Sequence, residues 1–131
     1  MSGPASANEG AAKILVVEDD AMVREFAQAL IEALGYEPCV AADGNAALCL
    51  LDTHTDISLI LTDVGLPGGM DGPALAKEAQ RRRPGLPVLF ASGSVDSEGR
   101  SPLLPPGAQV LGKPYRKAEL ARTLREILGK N

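Results

Sequence analysis

Short runs of apolar residues alternate along this chain with segments whose apolar residues recur at three- and four-residue spacing. The first run is residues 14–17 (ILVV), and its uninterrupted apolar character predicts a strand that is buried on both faces. The next segment, residues 22–34, carries its apolar residues at the spacing of one helix face. Strands and helices that alternate in this way predict right-handed crossovers and a parallel sheet with helices on both faces.

The alternation continues to residue 128 and predicts five strands within one domain. Strands are predicted at residues 14–17, 37–41, 58–62, 87–91 and 109–112. Helices are predicted over residues 22–34 and 45–52, from residue 72 onward, and over residues 120–128. Asp20 is placed to cap the start of the first helix and Gly35 to end it. We expect the folded domain to occupy residues 13–131.

Two stretches do not follow this pattern. Residues 1–12 (MSGPASANEGAA) are small and polar, which predicts a flexible N-terminal tail. Residues 94–107 contain three prolines and two glycines, which leave little room for a regular helix. We therefore expect the fourth helix of the alternation to be short or irregular.

Charge and hydropathy argue against a nucleic-acid partner and against a membrane location. The net charge is −4, whereas direct nucleic-acid binding normally requires a basic face. The only basic run, residues 81–83 (RRR), is placed to be the solvated last turn of a helix. No apolar run approaches the length of a membrane span and no signal sequence opens the chain. The expected location is the cytoplasm.

The cysteines and the single histidine show no metal-binding or disulfide pattern. Cys39 and Cys49 fall within a predicted strand and a predicted helix, with no CxxC motif, so reduced and buried thiols are expected. His54 has no second histidine or cysteine at ligand spacing. We expect it at the surface and assign it no metal or phosphotransfer role.

Polar residues with reactive groups follow the apolar runs. The predicted strands end in Glu18-Asp19, in Asp63, in Ser92 and in Lys113. Since the carboxyl ends of parallel strands meet at one edge of the sheet, these side chains are expected to converge there. Crowded carboxylates stay ionised when a cation joins them, and an all-oxygen cluster suits Mg²⁺. One carboxylate could also be the nucleophile of a phosphoryl transfer, with a metal and a cationic side chain neutralising the phosphoryl oxygens.

Four motifs occur in order along the chain: ILVVEDD, LILTDVGLPGGMDG, VLFASG and GKPY. In order and spacing they resemble the receiver domains of response regulators in two-component signalling, over nearly all of residues 13–128. The resemblance implies an α/β fold of the flavodoxin-like, doubly wound type, with a five-stranded parallel sheet in the order 2-1-3-4-5. It also implies a cis bond between Lys113 and Pro114.

The resemblance implies a role for each acidic residue at the strand ends. Asp63 matches the aspartate that accepts the phosphoryl group and contributes to the Mg²⁺ site. Asp19 matches a direct Mg²⁺ ligand, and Glu18 a ligand that acts through a metal-bound water. Gly65, two residues after the acceptor, would lend its backbone carbonyl to the metal. Asp20 is expected to be a helix cap rather than a ligand.

The remaining site residues and the partners are implied in the same way. Ser92 matches the hydroxyl that follows the phosphoryl group, and Lys113 matches the lysine that neutralises it. The implied donor is a histidine kinase or a histidine phosphotransfer protein, and a downstream protein target would read a surface that phosphorylation repacks. The implied activity is that of a phosphoacceptor which assists its own phosphorylation and dephosphorylation, and not that of an enzyme acting on other substrates.

The sequence departs from the common family pattern in two places besides residues 94–107. The loop LPGGMDG is one residue longer than the commonest form. This longer variant is similar to that of receivers attached to hybrid histidine kinases and of related stand-alone regulators. The switch aromatic of the fifth strand falls at Val110. The chain could be a stand-alone regulator or a domain of a hybrid kinase. The initial Met and the polar lead-in favour the stand-alone regulator.

Two other functions stay open from the sequence. A small Mg²⁺-dependent phosphatase with an aspartyl nucleophile would want a second acid near that nucleophile, but Gly65 stands two residues after Asp63. A receiver fold that binds partners without phosphorylation is the second alternative, favoured by Val110 and by the irregular fourth helix. Retention of a complete acidic site argues against it, and Mg²⁺ binding would distinguish the two functions.

Overall fold

The computed structural model describes residues 12–93, 104 and 108–129. These residues form five strands and four helices. The elements are β1 (Lys13–Val17), α1 (Ala21–Ala33), β2 (Glu37–Ala41), α2 (Gly44–Thr53), β3 (Ile57–Asp63), α3 (Gly72–Arg82), β4 (Val88–Ser92), β5 (Gln109–Gly112) and α4 (Lys117–Leu128). Within those described ranges, no helix has both the length and the apolar character needed to cross a membrane.

The five strands form one parallel sheet in the order β2-β1-β3-β4-β5. Alternate residues of β1 face opposite sides of this sheet. Leu15 and Val17 belong to one buried cluster, whereas Ile14 and Val16 belong to the other. The uninterrupted apolar run of β1 is therefore explained by burial on both faces, and the predicted fold class and strand order are confirmed.

The predicted helix and strand boundaries agree with the structure to within a few residues. The Asp20 carboxylate accepts hydrogen bonds from the backbone amides of Met22 and Val23 and caps α1 as predicted. Gly35, which follows the helix, has a φ of +90°, a conformation that glycine adopts without steric cost. β3 ends at Asp63 and β4 ends at Ser92, as predicted. The reactive residues are thus the last residues of their strands.

The predictions for the irregular stretches fall on parts of the chain that the structure does not describe. The predicted flexible tail covers residues 1–12, of which Ala12 alone is described. The predicted short or irregular fourth helix covers residues 94–107, of which Leu104 alone is described. The helix labelled α4 is the one predicted to close the chain.

The basic run at residues 81–83 is only partly the solvated helix end that the sequence predicted. Arg81 and Arg82 occupy the last turn of α3. The Arg83 guanidinium instead donates to four backbone carbonyl oxygens, those of Leu51, His54, Thr55 and Ile57. Carbonyls that a helix end leaves without partners attract a planar donor with several N–H groups, so Arg83 ties α3 to the connection between α2 and β3.

The cysteines are free, as predicted, but neither is fully buried. Cys39 is half-buried and Cys49 is exposed on α2, so the prediction of buried thiols is wrong for Cys49 and only partly right for Cys39. A helix with a buried face also has a solvent face, and one apolar residue does not reveal its face. His54 is half-buried, and its Nδ1 lies 3.4 Å from the Lys13 ammonium.

Candidate functional site

The residues predicted for the site converge at the carboxyl edge of the sheet. Glu18 and Asp19 follow β1, Asp63 ends β3, Ser92 ends β4 and Lys113 follows β5. The strand registers bring these ends level, because Val17 pairs with Thr62 and Ser92 pairs with Gly112. Residues separated by up to 95 positions are thereby within hydrogen-bonding distance.

Three carboxylates lie close together at this edge. One oxygen atom from each of Glu18, Asp19 and Asp63 lies within 4.8 Å of the other two. Glu18 is only 6% exposed, whereas Asp19 is exposed and Asp63 is half-buried. Carboxylate oxygens on one side and open solvent on the other suit Mg²⁺, which keeps several waters when it binds proteins. The donor set therefore fits the predicted metal.

The Lys113 ammonium bridges two of these carboxylates. Its Nζ lies 3.1 Å from Asp63 Oδ1 and 3.2 Å from Glu18 Oε1. Burial by itself lowers the pKa of Lys113, but its hydrogen bonds and charge interactions with Asp63 and Glu18 outweigh burial and raise that pKa above its usual value. One ammonium among three carboxylates leaves a net charge of −2, which favours binding of a divalent cation.

Hydrogen bonds hold the Asp63 carboxylate and both the side chain and the backbone of Glu18 in place. Asp63 Oδ1 accepts from the Val64 amide at 3.1 Å, and Glu18 Oε2 accepts from the Asp20 amide at 3.1 Å. The half-buried Arg24 guanidinium donates to the Glu18 backbone carbonyl at 2.8 Å. The sequence analysis did not identify Arg24. Its position four residues after the Asp20 cap was the available signal, because it places Arg24 on the first turn of α1 beside Glu18.

An open cleft of about 370 Å³ lies beside Asp63. It is lined by Asp63, Val64, Gly65, Asp71, Pro73, Ser92 and Gly93. Ser92 is 4% exposed and faces this cleft. A side chain at position 65 would meet nothing within 4 Å, so Gly65 keeps one side of the acceptor open. Asp63 and Ser92, two of the three predicted partners of a phosphoryl group, both line this cleft.

An apolar surface adjoins the site on the side of Lys113. A second cleft of about 290 Å³ is lined by Val23, Phe26, Lys113, Pro114 and Tyr115. Phe26 is 55% exposed, and burial raises the pKa of the Tyr115 hydroxyl. The Lys113–Pro114 bond that begins this surface is cis, as predicted.

Val110 occupies β5 where the resemblance places a switch aromatic. It pairs with Phe90 across the sheet and lies half-buried against the same apolar cluster as Phe90. A branched aliphatic side chain has no ring to turn between a buried and an exposed position. The coupling that an aromatic ring would provide at this position is therefore absent from position 110.

Comparison with known proteins gives consistent matches. A family model described as the response regulator receiver domain matches residues 14–125. The chain is 37% identical over 129 residues to the sensor histidine kinase AruS of Pseudomonas aeruginosa, a match that covers 95% of this chain and 13% of AruS. It is 32% identical over 122 residues to the response regulator receiver protein CpdR of Brucella abortus, covering 88% of this chain and 96% of CpdR.

Solved structures agree with the sequence matches. The crystal structure of the receiver domain from the hybrid histidine kinase CckA superposes with a TM-score of 0.74 at 36% identity. That superposition covers 89% of this chain and 99% of the CckA domain. The chain is thus similar both to a receiver within a large kinase and to a receiver that makes up nearly a whole protein.

Proposed function

This chain belongs to the response regulator receiver domain family, and from that premise we propose that Asp63 accepts a phosphoryl group in a histidine-to-aspartate relay. The observation that carries the proposal is the contact of Lys113 Nζ with Asp63 Oδ1 at 3.1 Å within a cluster of three carboxylates. A lone carboxylate at a strand end has no such cation. An aspartate held beside an ammonium, an open cleft and a buried hydroxyl has the groups that phosphoryl transfer requires.

The chain's own residues each have a part in the transfer. An Asp63 carboxylate oxygen attacks phosphorus, the bond from phosphorus to the donor nitrogen breaks, and the leaving imidazole takes up a proton. Lys113 would neutralise the phosphoryl oxygens and Ser92 would donate a hydrogen bond to one of them. Asp19, Asp63 and the Gly65 carbonyl, with Glu18 through a bound water, would hold Mg²⁺, which would add positive charge near the phosphoryl group.

The same groups would assist loss of the phosphoryl group. Water attacks phosphorus, the bond to the Asp63 oxygen breaks, and inorganic phosphate and the Asp63 carboxylate are regenerated. The open side of the cleft next to Gly65 gives water access to phosphorus. The chain would thus set the lifetime of its own phosphorylated state.

We infer that the donor is a histidine kinase or a histidine phosphotransfer protein that docks on the apolar surface beside Lys113. A donor that presents phosphohistidine to Asp63 must cover this edge of the sheet. Met22 is 80% exposed and Phe26 is 55% exposed on the adjoining α1, and Phe26 lines the apolar cleft with Pro114 and Tyr115, so they extend a contiguous apolar patch of the kind found at protein-binding sites. The downstream partner is expected to be a protein, without direct nucleic-acid or membrane binding, in a cytoplasm that keeps the two free cysteines reduced.

The first test is phosphorylation by a small donor. Wild-type protein and Asp63→Asn are incubated with acetyl phosphate, with and without Mg²⁺, and the intact mass is measured. We expect a phosphoryl adduct that needs Mg²⁺ and is lost in Asp63→Asn, because the amide is a poor nucleophile. Asp52→Asn, an exposed aspartate that pairs with Arg82, is the matched control and should keep the adduct.

The two outcomes separate the proposed function from its alternatives. An adduct that survives in Asp63→Asn would assign the acceptor to another residue. Absence of any adduct in the wild-type protein, together with no measurable Mg²⁺ binding, would favour a receiver fold that binds partners without phosphorylation.

A further inference from the structure

The connection from β3 to α3 is closed at its base. It comprises residues 64–71, and the Gly72 amide donates to the Val64 carbonyl at 2.7 Å across its ends. Gly72 has no room for a side chain, since an added Cβ would lie 2.4 Å from the Asp63 carbonyl oxygen. The two ends therefore touch. Residues 65–71 form a loop that is closed by the pair Val64 and Gly72, directly after the acceptor Asp63. We call these residues the acceptor loop.

Two half-buried apolar side chains attach the acceptor loop to the rest of the domain. Leu66 and Met70 both pack against the buried cluster on one face of the sheet. Pro67, Gly68 and Gly69 are exposed. The two glycines have φ values of +85° and +84°, in the region that glycine enters without steric cost. The backbone of the tip is thus soft, and its position depends on the flanking anchors.

The Met70 side chain packs against Gly44, which has no side chain of its own. A Cβ added to Gly44 would be 2.7 Å from Met70 Sδ, 3.1 Å from its Cγ and 3.3 Å from its Cβ. The thioether is the closest group, so a methyl at position 44 would require the Met70 side chain to move from its present place. Gly44 is the buried first residue of α2, and Asp43 caps this helix by accepting from the Ala46 amide at 2.8 Å. The loop is therefore seated on a fixed helix start.

We propose that the contact between Met70 and Gly44 positions the acceptor loop for metal binding. Gly65 would offer only a backbone carbonyl to Mg²⁺, and no side chain of its own can steer that carbonyl. Its position follows from the closed base at Gly72 and from the two anchors of the loop, Leu66 next to it and Met70 at the far end. This inference rests on the proposed function for the Mg²⁺ site, whereas the ordering of the loop is a property of the metal-free protein.

The test measures loop order and metal affinity separately. Amide hydrogen exchange of residues 65, 66, 68 and 69 is followed by NMR in the metal-free protein, and Mg²⁺ affinity is measured by calorimetry. Met70→Ala is expected to speed exchange in the loop and to weaken Mg²⁺ binding about tenfold, the size seen when groups that orient metal ligands are removed. Gly44→Ala is expected to act in the same direction, because its methyl displaces Met70.

Two further variants distinguish positioning from a general loss of stability. Met70→Leu refills most of the volume and should restore most of the affinity. The double variant Gly44→Ala/Met70→Ala should bind Mg²⁺ no more weakly than Met70→Ala, because the added methyl no longer meets the longer side chain. Asn45→Ala, exposed in the same first turn of α2, is the control and should match the wild-type protein. Urea unfolding of each variant reports its stability independently.

The outcomes separate this inference from the proposed function. Wild-type protein that binds Mg²⁺ and forms the adduct, alongside a Met70→Ala variant with unchanged affinity and unchanged loop exchange, would overturn the inference alone. Lowered stability with unchanged affinity would overturn it too, since the contact would then only support the fold. A wild-type protein that binds no Mg²⁺ would overturn both.

Discussion

At the scale of single residues, the closest steric constraint is at Gly72. We expect Gly72→Ala to destabilise the domain by about 1–3 kcal/mol, a typical cost of overpacking, since the new methyl would press on the Asp63 carbonyl oxygen at 2.4 Å. It should also lower the yield of the phosphoryl adduct. Urea unfolding tests the stability, with Gly65→Ala as control because a methyl there meets nothing within 4 Å. Equal stability of the two variants would contradict this explanation.

Some site residues could be predicted from the sequence because their signals are local. Glu18, Asp19 and Asp63 directly follow or end uninterrupted apolar runs, and parallel strands bring such ends together. Arg24 was missed because an arginine on a helix is usually solvated, and only the fold shows that its guanidinium reaches the Glu18 carbonyl. The exposure of Cys49 was missed because a single apolar residue does not define a helix face.

At the scale of elements, Arg83 joins α3 to the connection between α2 and β3. We expect Arg83→Ala to destabilise the domain by about 1.5–3 kcal/mol, the usual range for hydrogen bonds to a charged group, because four backbone carbonyls lose their donor. Chemical denaturation gives the measurement. Arg81→Ala is the matched control, since Arg81 is exposed and pairs only with Glu78 among the described ion pairs. If Arg83→Ala lowers the free energy of unfolding no more than Arg81→Ala does, water must satisfy the four carbonyls in the absence of Arg83.

The charge pairs at the end of α3 give a pH dependence with a definite sign. Hydrogen bonds from Arg81 and then Arg82 lower the pKa of Glu78 to about 2. A carboxylate whose pKa is lower in the folded state stabilises the fold above its unfolded pKa and loses that contribution as pH falls through the folded value. The stability difference between wild-type protein and Glu78→Gln should therefore be present above the usual carboxyl range and vanish toward pH 2.

Salt provides the check on this prediction. Glu78, Arg81 and Arg82 lie at the surface, where ion pairs are weak and screened. Thermal unfolding followed across pH should show a small difference that shrinks further in 1 M salt, an ionic strength at which the Debye length is about 3 Å. A difference that persists at pH 2 would assign the role of Glu78 to packing.

Periodicity predicted the elements well, and their ends less well. Apolar spacing reports which residues face the core, so it located every described strand and helix. It does not report where backbone hydrogen bonding begins, which explains why β3 starts one residue, and α4 three residues, before the predicted start. The contact of Met70 with Gly44 could not be predicted because it joins two elements whose separation only the folded sheet sets.

At the scale of the whole molecule, the proposed docking surface adjoins the acceptor site at Lys113. We expect Phe26→Ala to slow phosphoryl transfer from a protein donor by tenfold or more, about 1.4 kcal/mol, while transfer from acetyl phosphate is unchanged. Phe26 is 55% exposed, so truncation should cost little stability. The two donors are compared in single-turnover assays. Glu25→Ala, at another exposed position of α1, is the control. Equal losses with both donors would place Phe26 in the chemistry instead of the docking surface.

The sheet order means that the acceptor site is assembled from nearly the full length of the domain. Lys113 meets Glu18 across 95 positions of sequence, an interval that a ribosome takes roughly 5–20 s to translate. Until Lys113 has been added, a nascent chain has the site carboxylates without the ammonium that contacts Glu18 and Asp63. The proposed acceptor site is therefore complete only near the end of synthesis of the domain.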